Sequence, residues 1–145
     1  MNTLKIAIGA DHAGFLLKEK ITEYLKELNL QVIDCGTFSE VSCDYPDFAH
    51  PVANAIVDNK VDCGILICGS GNGVAITANK HANIRAALCW NENIAVLARK
   101  HNNANILVLP ARFVSVDEAI NMINIFLKEP FEGGRHADRI AKINC

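Results

Sequence analysis

The stretch Gly64-Ile65-Leu66-Ile67-Cys68-Gly69-Ser70-Gly71-Asn72-Gly73 decides how the rest of the chain is read. Its first half is an apolar run of strand length with no polar residue to mark a solvent face, the pattern of a strand covered on both sides. Its second half alternates glycine with small polar residues and leads into a helical segment over residues 73–80. A doubly covered strand that ends in a glycine-rich turn and a helix belongs at the centre of a parallel α/β sheet.

Working outward, the same alternation recurs. Lys5 to Ala10 reads as a buried strand, and Gln31–Cys35, Arg85–Cys89 and Ile106–Leu109 as further strands. Between them, residues 13–28 place Leu17, Ile21, Tyr24, Leu25 and Leu28 on one helical stripe. Pro46 opens a helix that carries Phe48, Val52 and Ile56 inward, with Pro51 expected near its first turn, where a missing N–H matters least. Another helix covers about 92–101. Ser115-Val116-Asp117-Glu118 is a capping box, starting a helix with Val116, Ala119, Ile120, Ile123 and Leu127 on its apolar face. A basic segment from Gly134 to Ile143 forms a last short helix. With no linker, repeat or low-complexity stretch, residues 1–145 make one doubly wound α/β domain.

Composition limits the partners. Half of the 145 residues are apolar and the net charge is −2, so no global positive field draws the chain to nucleic acid. A phosphorylated ligand requires a local arginine cluster instead. Apolar runs of about five residues fall far short of the roughly 20 that span a bilayer. The first strand begins too early to leave room for a secretory leader, so a cytoplasmic protein is expected. Cysteines 35, 43, 63, 68, 89 and 145 form no C-x-x-C pair. Most sit in apolar runs and read as reduced core thiols, Cys68 excepted.

Ligands of such a sheet bind outside the carboxyl ends of the strands, which selects the loops to search. The first is Gly9-Ala10-Asp11-His12-Ala13-Gly14. Asp11 is an expected helix N-cap, whereas no cap requires the imidazole of His12. The loop lacks the central glycine of a dinucleotide fingerprint, although Asp34 lies about where a ribose ligand would. The second loop is Cys68 to Gly73, whose glycines Gly69, Gly71 and Gly73 let backbone amides converge on an anion. Cys68 ends the strand beside a helix N-terminus, a setting that favours thiolate. The thiol reads as a nucleophile, a base or an inert cysteine, and Ser70 adds a hydroxyl able to relay a proton. Arg135 and Arg139, spaced i, i+4, and Arg112 after the Ile106–Leu109 strand supply cations suited to phosphate, or else surface charges with Asp138 paired to Arg135. His136 can join that cluster. His101-Asn102 falls at the amino edge of the sheet, as an ordinary loop or in service of a neighbouring subunit. His50 and His81 read as surface residues. No metal-ligand spacing emerges.

Taken in order, residues 8–14, Asp44-Tyr45-Pro46-Asp47, Cys68–Gly73, Ala78-Asn79-Lys80, residues 99–105 and Glu132-Gly133-Gly134-Arg135-His136 resemble the ribose-5-phosphate isomerase B family, which also contains galactose-6-phosphate isomerase subunits. The resemblance implies a Rossmann-like three-layer αβα sandwich with a five-stranded parallel sheet. It also implies a pentose phosphate isomerase without cofactor or metal, and a homodimer or dimer of dimers whose active sites are shared between subunits. By the same resemblance Cys68 removes the C2 proton of the open-chain sugar and the amides of Gly69, Gly71, Asn72 and Gly73 hold the enediolate. Ser70 assists proton movement between O1 and O2, and His101 with Asp11 opens the furanose ring. Tyr45 lines the sugar pocket and Asn102 bonds the sugar. His12, Arg112, Arg135 and Arg139 take the phosphate. Some members lack the cysteine and carry a glutamate just after the last glycine of the turn. Here that position is Val74, which cannot take a proton. The rival readings are an isomerase of a six-carbon sugar phosphate (galactose or allose 6-phosphate), a non-catalytic module sensing nucleotides or sugar phosphates, and a dinucleotide-dependent oxidoreductase.

Overall fold

A computed structural model describes residues 2–144; Cys145 lies outside them. Five parallel strands, β1 (Lys5–Ala10), β2 (Gln31–Asp34), β3 (Cys63–Cys68), β4 (Ala86–Leu88) and β5 (Ile106–Pro110), form one sheet in the order β2-β1-β3-β5-β4. The helices are α1 (Phe15–Glu27), α2 (Pro46–Val57), α3 (Asn72–Ala78), α4 (Glu92–Lys100), α5 (Val116–Lys128) and α6 (Arg135–Ile140).

Side-chain alternation along the strands separates two cores. Ile6, Ile8, Ile65, Ile67, Leu107 and Leu109 pack under α1, α4 and α5. Ala7, Leu66, Cys68, Ile106 and Val108 face α2 and α3. Glycine fills the remaining inward positions where the helix comes closest: a Cβ on Gly64 would lie 2.6 Å from Val52. The chain leaves β1 toward β2 on one side and returns to β3 on the other. The crevice therefore opens between the carboxyl ends of β1 and β3.

Several expectations shift. The first helix starts at Phe15, two residues later than expected, with Gly14 as its uncapped N-cap. Asp11 is not that cap; its Oδ1 accepts the amides of Ala13 (3.0 Å) and Gly14 (3.2 Å) and closes a separate turn before the helix. Pro51 lies inside α2 rather than in its first turn, so the carbonyl four residues earlier loses its donor. On α1 the stripe buries Lys18 and Thr22 along with Leu17, Ile21 and Leu25, while Leu28 is exposed. On α5 the capping box forms as expected, but Met122 and Phe126 are buried beside Ala119 and Ile123.

Lys18 is the least expected core residue. Its side chain is fully buried, and Nζ reaches Asp34 Oδ2 at 2.7 Å and Glu19 Oε1 at 2.9 Å. Phe15 and Phe38 flank the ammonium at 5.5 and 5.1 Å from their ring centroids, a cation–π setting. Asp34 Oδ1 accepts the Gly36 amide at 2.9 Å. The carboxylate placed to meet a ribose is thus committed to a part-buried ion pair.

Candidate active site

The loops at the carboxyl edge are tied to each other by backbone hydrogen bonds. The Asp11 amide donates to the Ile67 carbonyl at 3.3 Å, and the Ala111 and Arg112 amides donate to the carbonyls of Cys68 (2.9 Å) and Gly69 (3.1 Å). Gly14 allows the first loop to sit directly on β3, since a Cβ there would lie 2.7 Å from Ile67 Cγ2. These contacts gather Asp11, His12, Cys68, the 69–73 turn and Arg112 at one edge.

Cys68 is the last residue of β3 and 5% exposed. The Gly71 amide donates to its Sγ at 3.2 Å, and the Asn72 amide donates to Ser70 Oγ at 3.3 Å. The turn that directs these amides requires Gly71 at φ +80°, the left-handed region. Tyr45 covers Gly73, whose added Cβ would lie 2.7 Å from the ring, and the Arg112 guanidinium covers Gly69 at 3.1 Å by the same measure. His12 Nδ1 accepts the Cys43 amide at 3.2 Å. That bond leaves the proton of the neutral ring on Nε2, a donor free to meet an anion. Val74, at the position of the alternative glutamate, is fully buried among apolar residues.

The other expected site residues lie at the opposite edge. His101 follows α4, which runs back from the carboxyl edge to the amino edge of the sheet. Its ring stacks on His136 (4.1 Å between centroids, 13° apart), and its Nε2 lies 4.0 Å from Glu132 Oε2. The Glu132 amide donates to the Lys100 carbonyl, which docks α6, with Arg135 and Arg139, beside His101. The three arginines are therefore not one cluster: Arg112 is at the carboxyl edge, and the α6 pair accompanies His101 and Asn102. No ion pair joins Arg135 to Asp138 among the described residues.

His136 is buried. Burial first, then the charge of neighbouring His101, holds its imidazole below the ordinary pKa. His101, Glu132 and His136 bring three possible metal-ligand atoms within 4.8 Å of one another, a grouping that spacing in the sequence did not reveal. His50 and His81 also meet, Nδ1 to Nε2 at 2.7 Å. Cys35, Cys43, Cys63, Cys68 and Cys89 are all free thiols. Burial pushes Cys63 and Cys89 up to about 12, the inert core thiols expected of them. No helix is long and apolar enough to cross a membrane among the described residues.

An anion-receptive turn, a thiol, an imidazole and an arginine at the switch point of an open parallel sheet define an α/β domain built for a small anionic ligand. Comparison with known proteins specifies the class further. The chain belongs to the ribose/galactose isomerase family, whose profile matches residues 6–143. It is 45% identical over 141 residues to ribose-5-phosphate isomerase B of Escherichia coli, covering 97% of this chain and 95% of the other. A ribose 5-phosphate isomerase structure from Thermotoga maritima superimposes with a TM-score of 0.97 at 52% identity, with 99% of each chain covered. The Mycoplasma genitalium ribose-5-phosphate isomerase B structure with bound ribulose-5-phosphate gives 0.93 at 47% identity, covering 99% of this chain and 95% of that one.

Proposed function

We propose that this chain interconverts D-ribose 5-phosphate and D-ribulose 5-phosphate in the cytoplasm through an enediolate, with Cys68 as the base. The observation that carries the reading is the thiol itself. It is buried at the end of β3 with an amide 3.2 Å from its sulfur, in a family whose members act on sugar phosphates. Such chemistry requires a base, donors oriented before charge develops and a dry pocket, and no redox cofactor. The thiolate takes the C2 proton of the open-chain aldose, Ser70 moves a proton between O1 and O2, and the proton returns to C1. His12 through Nε2 and Arg112 take the phosphate, and Tyr45 closes the sugar pocket.

The active unit is a homodimer. His101, Asn102, Arg135 and Arg139 lie across the sheet from Cys68 of the same chain, so a second copy must bring them to it. A twofold axis perpendicular to the strands and passing beside the β4 edge does this, because it reverses the strand direction and sets the amino edge of one protomer against the carboxyl edge of its partner. That edge carries the exposed apolar residues Trp90 and Leu97, with Phe113 beside Ser70. A groove of about 550 Å³ runs beneath it between Leu88, Ile94, Leu97 and Ile143.

The test is conversion of ribose 5-phosphate by purified protein, with EDTA and without nicotinamide. Wild-type turnover that Cys68→Ala abolishes, with retained affinity for a phosphate ligand, supports the assignment. Absence of wild-type turnover on ribose 5-phosphate but activity on allose or galactose 6-phosphate transfers it to six-carbon sugars. Mixing refolded Cys68→Ala and His101→Ala chains tests the shared site. Statistical mixing gives one intact site per heterodimer and about a quarter of wild-type activity; no recovery refutes it.

A further inference from the structure

Outside the carboxyl-edge loops, a dense set of polar contacts surrounds residues 101–105. Arg85, just before β4, donates through Nε to the carbonyls of Asn102 (3.0 Å) and Asn103 (3.1 Å). Its own amide donates to Asn105 Oδ1 at 2.8 Å. Arg99, in the last turn of α4, donates through Nη1 to Asn103 Oδ1 (3.0 Å) and the Ala104 carbonyl (2.6 Å). Through Nε it donates to the Glu129 carbonyl at 3.1 Å, and it lies over the Phe126 ring. Neither guanidinium meets a carboxylate within 4.0 Å among the described residues.

Two half-buried cations are thus spent on the carbonyls that follow a helix C-terminus, groups with no intrahelical donor. Asn103 adopts φ +45° within this loop, a left-handed conformation that asparagine takes more readily than other side chains. The residues held, Asn102 to Asn105, directly follow His101. Arg99 also fixes the strand of chain at Glu129 that leads to His136 and α6.

We propose that Arg85 and Arg99 are positioning residues for the reaction: a two-arginine clamp that fixes the 101–105 loop and, through it, His101 for ring opening and Asn102 for holding the sugar. This rests on the isomerase reading above. It differs from a contribution to folding alone, because it concerns the step that uses His101 and leaves the Cys68 step intact.

That difference is measurable. Ribose 5-phosphate is mostly a closed furanose and must open before Cys68 can act. Ribulose 5-phosphate is acyclic, and exchange of its C1 proton with D₂O requires only the thiol and the enediolate. In Arg85→Ala, kcat from ribose 5-phosphate should fall on the order of 10–100-fold, the range expected when a catalytic group is misplaced by about an ångström. C1 exchange from saturating ribulose 5-phosphate, read by NMR, should stay within about threefold of wild type, since proximity of the thiol is unchanged. Arg85→Lys keeps one donor and should fall between the two, which preserves the test if the alanine variant folds poorly. Hydrogen exchange should rise over residues 101–105 and stay unchanged over 63–68. Equal loss of isomerisation and C1 exchange, or full activity in Arg85→Ala, overturns the positioning role while the isomerase assignment stands. Wild-type protein inactive on both sugars overturns the assignment and this role with it.

Discussion

Alanine at position 71 adds one methyl group at the point where the turn meets the thiol, and its effect can be worked from the coordinates. The backbone there is at φ +80°, where a side chain costs about 1–2 kcal/mol. The added methyl would overlap Leu88 Cδ1 and lie 3.2 Å from Val108 Cγ1. Leu88 is only half-buried, so it can turn aside and overpacking stays near the lower end of about 1–3 kcal/mol. The sum is a loss of roughly 2–4 kcal/mol in unfolding free energy. The more informative loss is in turnover. If the turn relaxes to negative φ, the Gly71 amide swings away from Cys68 Sγ. Loss of one oriented donor then lowers kcat about 100-fold, with KM changing less. Urea unfolding and steady-state isomerisation read the two effects separately. Leu88→Ala in the same background removes the overlap but not the strain, and should recover only part of the stability, without recovering kcat. A Gly71→Ala protein with wild-type kcat would refute the claim that the turn's amides serve the reaction.

Lys18→Met strands Asp34, which is about a quarter exposed, and should cost about 2–3 kcal/mol, below the range for a fully buried pair; a urea midpoint equal to wild type would refute the role of the pair. Cys63 and Cys89 should resist iodoacetamide in native protein at pH 8, as judged by peptide mass spectrometry, because burial holds both thiols near 12. Their neutral forms favour the folded state, so that stabilisation is complete below about pH 9 and is lost as pH rises from there toward 12; a flat urea midpoint over that window would contradict it. Arg135→Ala and Arg139→Ala should each raise KM roughly tenfold, the worth of one charged hydrogen bond, with a smaller change in kcat; unchanged KM would remove them from the phosphate site.

The fold was legible because each strand is an apolar run bounded by turn residues, and because five such runs alternate with helical stripes. The carboxyl-edge loops followed from that, since the topology dictates where ligands bind. Lys18 was not legible: periodicity assigns a lysine to solvent, and its burial depends on Asp34 and Phe38 from other segments as well as on Phe15 of its own helix. Met122 and Phe126 were missed for a related reason, because the neighbouring layer, not the helix alone, decides how far the buried face extends. The separation of Arg112 from Arg135 and Arg139 turns on one tertiary contact, the docking of residue 132 on the end of α4. Arg85 lay in no motif, and Arg99, although it opens the 99–105 stretch, showed no sign of its role there. Most of their partners are backbone carbonyls, which leave no mark in a sequence.

Alternation along β3 has one more consequence, and it concerns parity. Ile65 and Ile67 face one core, and Leu66 and Cys68 the other. Whether the thiol looks into the crevice under α2 and α3 or into the opposite layer is therefore a question of odd or even. Deleting a single residue from within residues 64–67 would leave an apolar strand of nearly the same composition, yet it would move the sulfur to the wrong side of the sheet. Lengthening the exposed loop at 38–42 by one residue changes no such count. An arithmetic error is tolerable in that exposed loop and in no part of the central strand.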